Sequence, residues 1–326
     1  MSAAATKPGW PAMTIAQAHA LLTQPGSPLE MEEVVIRGVK TRTWKNAPPT
    51  IRHLLQIGRA HGGKEFLVYE NDRATFESFT RAALAIADDL TKQGVKKGDR
   101  VAIIMRNLPE WPAIFFGAEI IGAIVTPLNA WWTGPELEYG LVDSGSKVVF
   151  TDAERLERIS EHLINCPDLK RVYVSRYADD LPSPIVHRLE DVTGAVNDWG
   201  KLPDRPMPTV DIQPDDDATI LYTSGTTGRP KGALGTHRNM LSNIMASASS
   251  AARNFLRRGE MPPMPDPDAP QRITLLSVPF FHATGCFAVM GPTVFAGGKL
   301  VLMRKWDPEI AMQLIDREKV NGAGGV

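Results

Sequence analysis

Between residues 66 and 174, short apolar runs alternate with amphipathic stretches of helical length, and that alternation restricts the fold more than any other feature of the chain. Residues 66–69 read as a strand, Asn71-Asp72 as a turn and residues 74–76 as a return strand. Phe79, Ala82, Ala83, Ile86 and Leu90 then fall on one helical face, with Gly94 placed to close the helix. The unit recurs: strands are expected at 100–105, 123–126, 147–151 and 171–174, separated by helices at 109–121, 135–142 and 153–163. Gly122 ends the first of these helices and Pro127 ends the strand that follows it. Strands joined by helices of this length form a parallel sheet flanked by helices. No solenoid-type repeat interrupts the pattern.

The remaining segments are less regular. The first sixty residues carry Pro8, Pro11, Pro25, Pro28, Pro48 and Pro49 and read as a lead-in, 1–60, packed on the core formed by 61–326. Residues 178–217, rich in Pro and Asp, are expected to cross the surface, and residues 218–222 form a buried strand. A helix is expected at 238–253, a proline-rich surface loop at 259–270, strands at 273–278 and 299–303, and a helix at 286–295. Asp307 can cap a further helix with Pro308 in its first turn. Residues 320–326 read as a strand and loop cut off midway.

Composition narrows the class of partner. Lys plus Arg number 36 and Asp plus Glu 37, a balance that gives no electrostatic footprint for nucleic acid or an anionic membrane. Cys166 and Cys286 sit in no metal-binding or disulfide pattern, which favours a reducing compartment. The N-terminus lacks the apolar segment of a signal peptide, and the most apolar stretch, 112–126, is too short to span a bilayer. A cytoplasmic protein without an integral membrane segment is expected.

The segment that carries chemistry is Tyr222-Thr223-Ser224-Gly225-Thr226-Thr227-Gly228-Arg229-Pro230-Lys231-Gly232. Glycine lets backbone N–H groups turn toward a ligand at close range, hydroxyls add donors, and Lys231 adds a positive charge, a combination suited to a polyphosphate. Neither a Walker A spacing nor a dinucleotide fingerprint is present. A plain Gly/Ser/Thr linker is the competing reading, and the apolar run before the segment and the Pro-Lys-Gly after it argue against that.

These eleven residues resemble the signature of the AMP-forming adenylating enzymes: acyl-CoA synthetases, firefly-type luciferases and the adenylation domains of peptide synthetases. Other pieces agree in order: residues 98–102, residues 117–129 ending in Pro127-Leu128-Asn129, and Pro279-Phe280-Phe281-His282-Ala283-Thr284-Gly285. The resemblance runs from about residue 50 to 326 and is strongest toward fatty acyl-CoA ligases. It implies an α/β fold: the incomplete large N-terminal domain of an AMP-forming ligase, a partial AMP-binding domain over 61–326 with mainly parallel sheets and with the small C-terminal domain absent.

The resemblance also implies roles. Thr223, Ser224, Gly225, Thr226, Thr227, Gly228 and Lys231 bind the phosphates of ATP, with Lys231 and Thr226 stabilising charge and Thr223 near Mg2+. His282 borders the acyl pocket. Trp131 and Trp132 are adjacent candidates for pocket walls, but tryptophan is more often packing, and both are read that way. The implied chemistry has two steps. A carboxylate, expected to be a medium- or long-chain fatty acid, attacks the α-phosphorus of ATP and expels pyrophosphate. The thiol of coenzyme A then attacks the acyl carbon and expels AMP. No side-chain nucleophile is required. The family's later elements, a metal-binding glutamate, a ribose-binding aspartate and a C-terminal lysine, have no counterpart before Val326, so the chain alone is expected to be inactive. An enzyme that loads a carrier protein, or a non-catalytic nucleotide-binding relative, are the alternatives.

Overall fold

The computed structural model describes residues 9–223, 228–263, 266 and 269–324. They divide into two compact units: residues 1–48 with 239–270, and residues 49–238 with 271–326. In the smaller unit, α1 (Ile15–Leu22) is opened by a capping box between Thr14 and Gln17, and β1 (Met31–Ile36) pairs antiparallel with β2 (Val39–Trp44).

The larger unit follows the alternation of the sequence. After α2 (Ile51–Arg59) come β3 (Glu65–Tyr69), β4 (Asp72–Thr75), α3 (Phe76–Lys92), β5 (Arg100–Ile104), α4 (Glu110–Glu119), β6 (Ile124–Pro127), α5 (Gly134–Ser144), β7 (Ser146–Asp152) and α6 (Ala153–Ile159). β8 (Arg171–Ser175), β9 (Val186–Arg188), α7 (Glu190–Thr193), β10 (Asp217–Thr223) and β11 (Lys231–Thr236) follow, and α8 (His237–Arg257) leads away. The chain returns through β12 (Ile273–Leu276), α9 (Gly291–Ala296), β13 (Lys299–Leu302), α10 (Pro308–Glu318) and β14 (Gly322–Gly324).

Two sheets result. One has seven strands in the order β11-β10-β6-β5-β7-β8-β9, the other five in the order β14-β12-β13-β3-β4. All neighbours are parallel except β10 with β11 and β3 with β4, so each sheet carries one antiparallel edge hairpin, a common device in such sheets. The expected helix ends are chemically defined. Asp152 accepts the Arg155 N–H at the start of α6, Asp307 accepts the N–H groups of Glu309 and Ile310 at the start of α10, and Gly145 closes α5 at φ 60°.

Several segments differ from the sequence expectation, among them residues 178–217, which do not merely cross the surface but add β9 to the sheet edge and form α7. Residues 231–236 form β11, an unexpected strand: its glycines lower strand propensity, but Gly232 and Gly235 make room for the cross-strand side chains of Ile220 and Thr219, which a Cβ would approach to 2.6 and 2.8 Å. β10, expected to be buried, is only partly so: Ala218 and Thr219 are buried, the residues after them are half-buried, and Thr223 is exposed. Residues 284–290 form a π-helical turn that runs into α9, not one continuous α-helix.

The core is organised by α4, in which every residue is buried. A helix apolar on all sides has no solvent face to offer, so it is packed on all of them. Gly117 lies so close to α3 that a Cβ would sit 2.8 Å from the Ala83 carbonyl oxygen and 2.9 Å from Ile86 Cβ. An unbroken series of aromatic contacts, Phe76–Phe66–Phe79–Phe116–Phe115–Trp111–Phe280, has ring centroids 4.7 to 5.6 Å apart. It runs from the five-stranded sheet across α3 and α4 to the loop after β12.

One polar group on α4 is anomalous. Glu119 is fully buried, and neither carboxyl oxygen has a hydrogen-bond partner among the described residues. His237 Nδ1, 3.7 Å away, instead accepts the Ile51 N–H. Burial drives the Glu119 pKa well above the ordinary carboxylate range and drives His237 down to about 4. The two have opposite consequences. For His237 the unfolded chain takes up a proton first, so stability falls as pH drops from about 6.5 toward 4. For Glu119 the unfolded chain releases a proton first, so stability falls as pH rises above the ordinary carboxylate pKa.

Two outcomes are expected. In urea unfolding, Glu119→Gln gains on the wild type as pH rises from 5 to 8, by on the order of 1.4 kcal/mol or more, the free energy of one pKa unit. Both proteins keep the same acid limb from His237, and a gap that does not change with pH would show that Glu119 is already ionised in the fold. Gly117→Ala forces a methyl group against backbone and lowers stability by about 1–3 kcal/mol, the usual cost of overpacking; an unchanged denaturation midpoint would disprove the close α3–α4 approach.

Candidate active site

The Gly-rich segment is the tip of the β10–β11 hairpin. Thr223, the last residue of β10, is paired in register with Lys231, the first of β11, and both are exposed. The Thr223 hydroxyl lies 3.5 Å from the Lys231 carbonyl oxygen. Gly228 has φ 89°, a conformation that glycine adopts without strain, with open space where a Cβ would be. Ser224, Gly225, Thr226 and Thr227 lie outside the described residues. The hairpin thus carries a hydroxyl and an amine on its two legs, directly opposite each other.

Both legs are tied to α5. Tyr222 donates its hydroxyl to Asp143 at 2.6 Å, and Tyr139 donates to the Pro230 carbonyl at 3.1 Å. The Arg229 guanidinium lies over the Tyr139 ring at 5.7 Å. Tyr139 and Asp143 are four apart and therefore share one helical face. The Asp143 charge and burial push the Tyr222 phenol far above its ordinary range, so it remains a hydrogen-bond donor at any physiological pH; burial is the larger cause.

His282 lies elsewhere, on the loop that follows β12. Its side chain is exposed at one edge, while the ring lies 4.7 Å from Phe281 and 6.0 Å from Trp131 by centroid. Desolvation lowers its pKa from the ordinary imidazole value, so it is neutral near pH 7. The tandem tryptophans connect the two regions. Trp132 meets Tyr222 edge-on at 5.8 Å, and Trp131 meets Phe281 edge-on at 5.1 Å. Trp132 is packed against the apolar core, as expected of it, but Trp131 is 52% exposed and its role is not core packing. Arginines of α6 fix this loop: Arg155 donates to the Ala130 carbonyl at 2.9 Å, and Arg158 to the carbonyls of Ala130 and Trp132 at 3.1 and 2.9 Å.

A cavity of about 650 Å³ opens beside Trp131. It lies at the C-terminal ends of β5, β12 and β13, where ligands enter open parallel sheets. Leu275, Val278, Pro279, Met303 and Ile315 give it apolar walls; Arg106, Asn107, Arg304 and Trp306 form its polar and aromatic part. The Arg106 guanidinium lies over the Trp131 ring at 5.2 Å and donates through Nε to the Arg304 carbonyl. Arg106, Asn107 and Trp306 were not singled out by the sequence. A lone Arg-Asn pair after a strand carries no motif, and only the convergence of strands 170 residues apart makes it part of a site.

The arrangement can hold an anion beside the exposed Thr223 hydroxyl and Lys231 amine and an elongated apolar group in the cavity, without a covalent step. Burial pushes the Cys166 thiol up to about 11 and Cys286 well above its ordinary value, so neither is a ready thiolate. Among the described residues there is no cluster of three His, Cys, Asp or Glu side chains that could cage a metal ion. No described helix is long and apolar enough to cross a membrane.

Comparison with known proteins gives this geometry a context. Residues 55–326 match the AMP-binding enzyme family. The chain is 31% identical over 263 residues to the long-chain-fatty-acid–CoA ligase FadD13 of Mycobacterium tuberculosis, covering 78% of this chain and 44% of that protein. It is 30% identical over 273 residues to a long-chain-fatty-acid–CoA ligase of Bacillus subtilis, covering 78% and 46%, and 30% identical over 254 residues to a feruloyl-CoA synthase of an Amycolatopsis species, covering 77% and 43%. The chain therefore spans less than half the length of the curated relatives it matches. Among solved structures it is similar to the N-terminal domain of FACL13 from Mycobacterium tuberculosis, with a TM-score of 0.68 and 27% identity, covering 85% of this chain and 63% of that one. The mostly parallel two-sheet α/β architecture, the matched span and the Gly-rich hairpin agree, and the chain belongs to the AMP-binding enzyme family.

Proposed function

We propose that this chain is the front portion of an AMP-forming carboxylate–CoA ligase acting on a medium- or long-chain fatty acid. The observation that carries the reading is the hairpin that sets Thr223 opposite Lys231 at the ends of a Gly-rich tip, inside a span that matches the family. In this reading Lys231 and the tip hold the β- and γ-phosphates of ATP, with Thr226 adding a donor, and stabilise the charge of departing pyrophosphate. Magnesium shares that charge when bound. It needs few protein ligands, because substrate phosphates and water fill most of its shell, and the exposed Thr223 hydroxyl is a fitting neighbour.

The acyl group occupies the cavity beside Trp131, with His282 meeting it through the Trp131 ring, 6.0 Å away by centroid; the apolar walls suit an alkyl chain, and two of the relatives are named for long-chain fatty acids. A second reading, an aryl acid, is favoured by Trp131 and Trp306 at the cavity and by the feruloyl-CoA and 4-coumarate relatives. Coenzyme A is the proposed acyl acceptor. The protein's part throughout is positioning and electrostatics, since no group of its own enters a covalent bond.

Residues 1–326 alone are not expected to sustain turnover. The missing span in the comparison with relatives is more than half of their length, and losing one preorganised electrostatic group already slows catalysis by roughly a hundred- to thousand-fold. Pyrophosphate release is measured with Mg·ATP and a panel from acetate to hexadecanoate, with ferulate included. Sustained acid-dependent release by this chain would overturn the inactivity, and a preference for acetate or ferulate in a longer form that does turn over would overturn the fatty-acid assignment. Lys231→Ala separates site from scaffold. Removing one charge-assisted contact of about 1.5–3 kcal/mol weakens the nucleotide-induced thermal shift about ten- to hundredfold in apparent affinity, while the exposed side chain leaves the nucleotide-free melting temperature nearly unchanged. Equal losses in both would assign Lys231 a structural role.

A further inference from the structure

The His282 loop is held by a residue 175 positions earlier in the chain. Asn107, on the segment between β5 and α4, is buried. Its side-chain amide donates to the Val278 carbonyl at 3.1 Å, and its amide oxygen accepts the Phe280 N–H at 2.9 Å. These two backbone groups flank Pro279, which has no N–H, and the ladder of β12 has already ended at Leu276. Without Asn107 both would be buried and unpaired, which is costly for backbone groups. Only a side chain offering a donor and an acceptor side by side can serve both, which is the inventory of a primary amide.

From that clamp the loop is wound to His282 with little freedom. The Phe280 ring is fixed against Trp111, four residues beyond Asn107, at 5.0 Å and 18°. The His282 N–H reaches the Pro279 carbonyl at 3.2 Å, and the Cys286 N–H reaches the His282 carbonyl at 3.0 Å. Gly285 folds back so tightly that a Cβ would lie 2.2 Å from the Pro279 carbonyl oxygen. The His282 side chain itself has only ring contacts with Phe281 and Trp131 among the described residues, so its place is set by its backbone.

We propose that Asn107 is a positioning residue for His282: by bridging the Val278 carbonyl and the Phe280 N–H it fixes the loop after β12 and so sets both the imidazole and the Val278–Pro279 wall of the cavity. This rests on the reading that His282 borders the acyl site. Asn107 acts from the end of β5, in the seven-stranded sheet, on the end of β12, in the five-stranded sheet, so it also keeps the two cavity walls at a constant separation.

The test is a pH titration of ring-labelled histidines in the 326-residue chain by NMR, with the His282 signal assigned by its loss in His282→Ala. Asn107→Leu removes both contacts at similar side-chain size without adding a charge that would itself move an imidazole pKa; Asn107→Ser serves as the milder variant should the first not fold. Val174→Ala, in the core of the seven-stranded sheet, is the control for general destabilisation. Release of the loop moves the His282 midpoint upward, toward the solvent value of about 6.5, in the Asn107 variants and not in the control. Destabilised Asn107 variants with an unchanged His282 curve, or an equal shift in Val174→Ala, would overturn the proposal. The underlying reading is tested apart from it: if His282→Ala leaves the tryptophan fluorescence titration with dodecanoate and Mg·ATP unchanged, the acyl-site assignment of His282 falls while the clamp stands.

Discussion

The burial of α4 on every side is the constraint on which the rest of the larger unit depends. A ten-residue helix with no polar face gains nothing from water, so it is stable only when α2, α3, the seven-stranded sheet and the loop after β12 are in place around it. Gly117 permits the close approach to α3, and Trp111 and Phe115 extend the contact toward Phe280. The ends of the helix show the electrostatic side of the same constraint. Glu110 is buried but bound by Arg176 at 2.8 Å, and burial still raises its pKa, whereas Glu119 at the other end has no hydrogen-bond partner among the described residues and faces the neutral ring of His237 at 3.7 Å. An ionisable residue kept at an unpaired buried position holds its proton there and lowers stability where the unfolded chain would ionise it, and the aromatic packing of the same helix works against that loss.

The candidate site is built outward from this core by backbone-directed hydrogen bonds more than by ion pairs. Arg155 and Arg158 hold carbonyls of the tryptophan loop, Tyr139 holds the carbonyl of Pro230, and Asn107 holds the ends of Pro279. Arg155, Arg158 and Tyr139 reach out from helices and Asn107 from the short segment that follows β5, and each satisfies a carbonyl that loop geometry leaves without a ladder partner. That places loops, which carry the functional groups, under the control of helices and strands, which have the stability.

Much of the fold was legible because strand and helix periodicities are local. The runs at 66–69, 100–105, 147–151 and 171–174 became β3, β5, β7 and β8 with shifts of one or two residues at their ends. β11 was not legible: Lys231-Gly232-Ala233-Leu234-Gly235-Thr236 has poor strand propensity, and its pairing comes from β10 across the tip. The π-helical turn at 284–290 was likewise hidden, since its apolar content suits an α-helix and only the packing of Gly285 on Pro279 reveals the difference. At the site, the glycines, hydroxyls and Lys231 form a contiguous motif that can be read from residue types alone. Asn107, Arg106 and the exposed face of Trp131 belong to no local pattern, and their place follows from which strand ends the topology brings together.

The strand order has a consequence for synthesis of the chain. β3, made early at residues 65–69, has its parallel neighbour in β13, at residues 299–302. Every strand of the seven-stranded sheet lies between residues 100 and 236, so that sheet can assemble while β3 has only β4 beside it. At 5–20 residues per second the β3–β4 hairpin waits roughly ten to fifty seconds for β13 to be made. During that interval Val68 lacks Leu275, Val301, Ala311 and Leu314, the residues that bury it in the fold, so the nascent hairpin exposes apolar surface and an unpaired strand edge until the end of the chain is made.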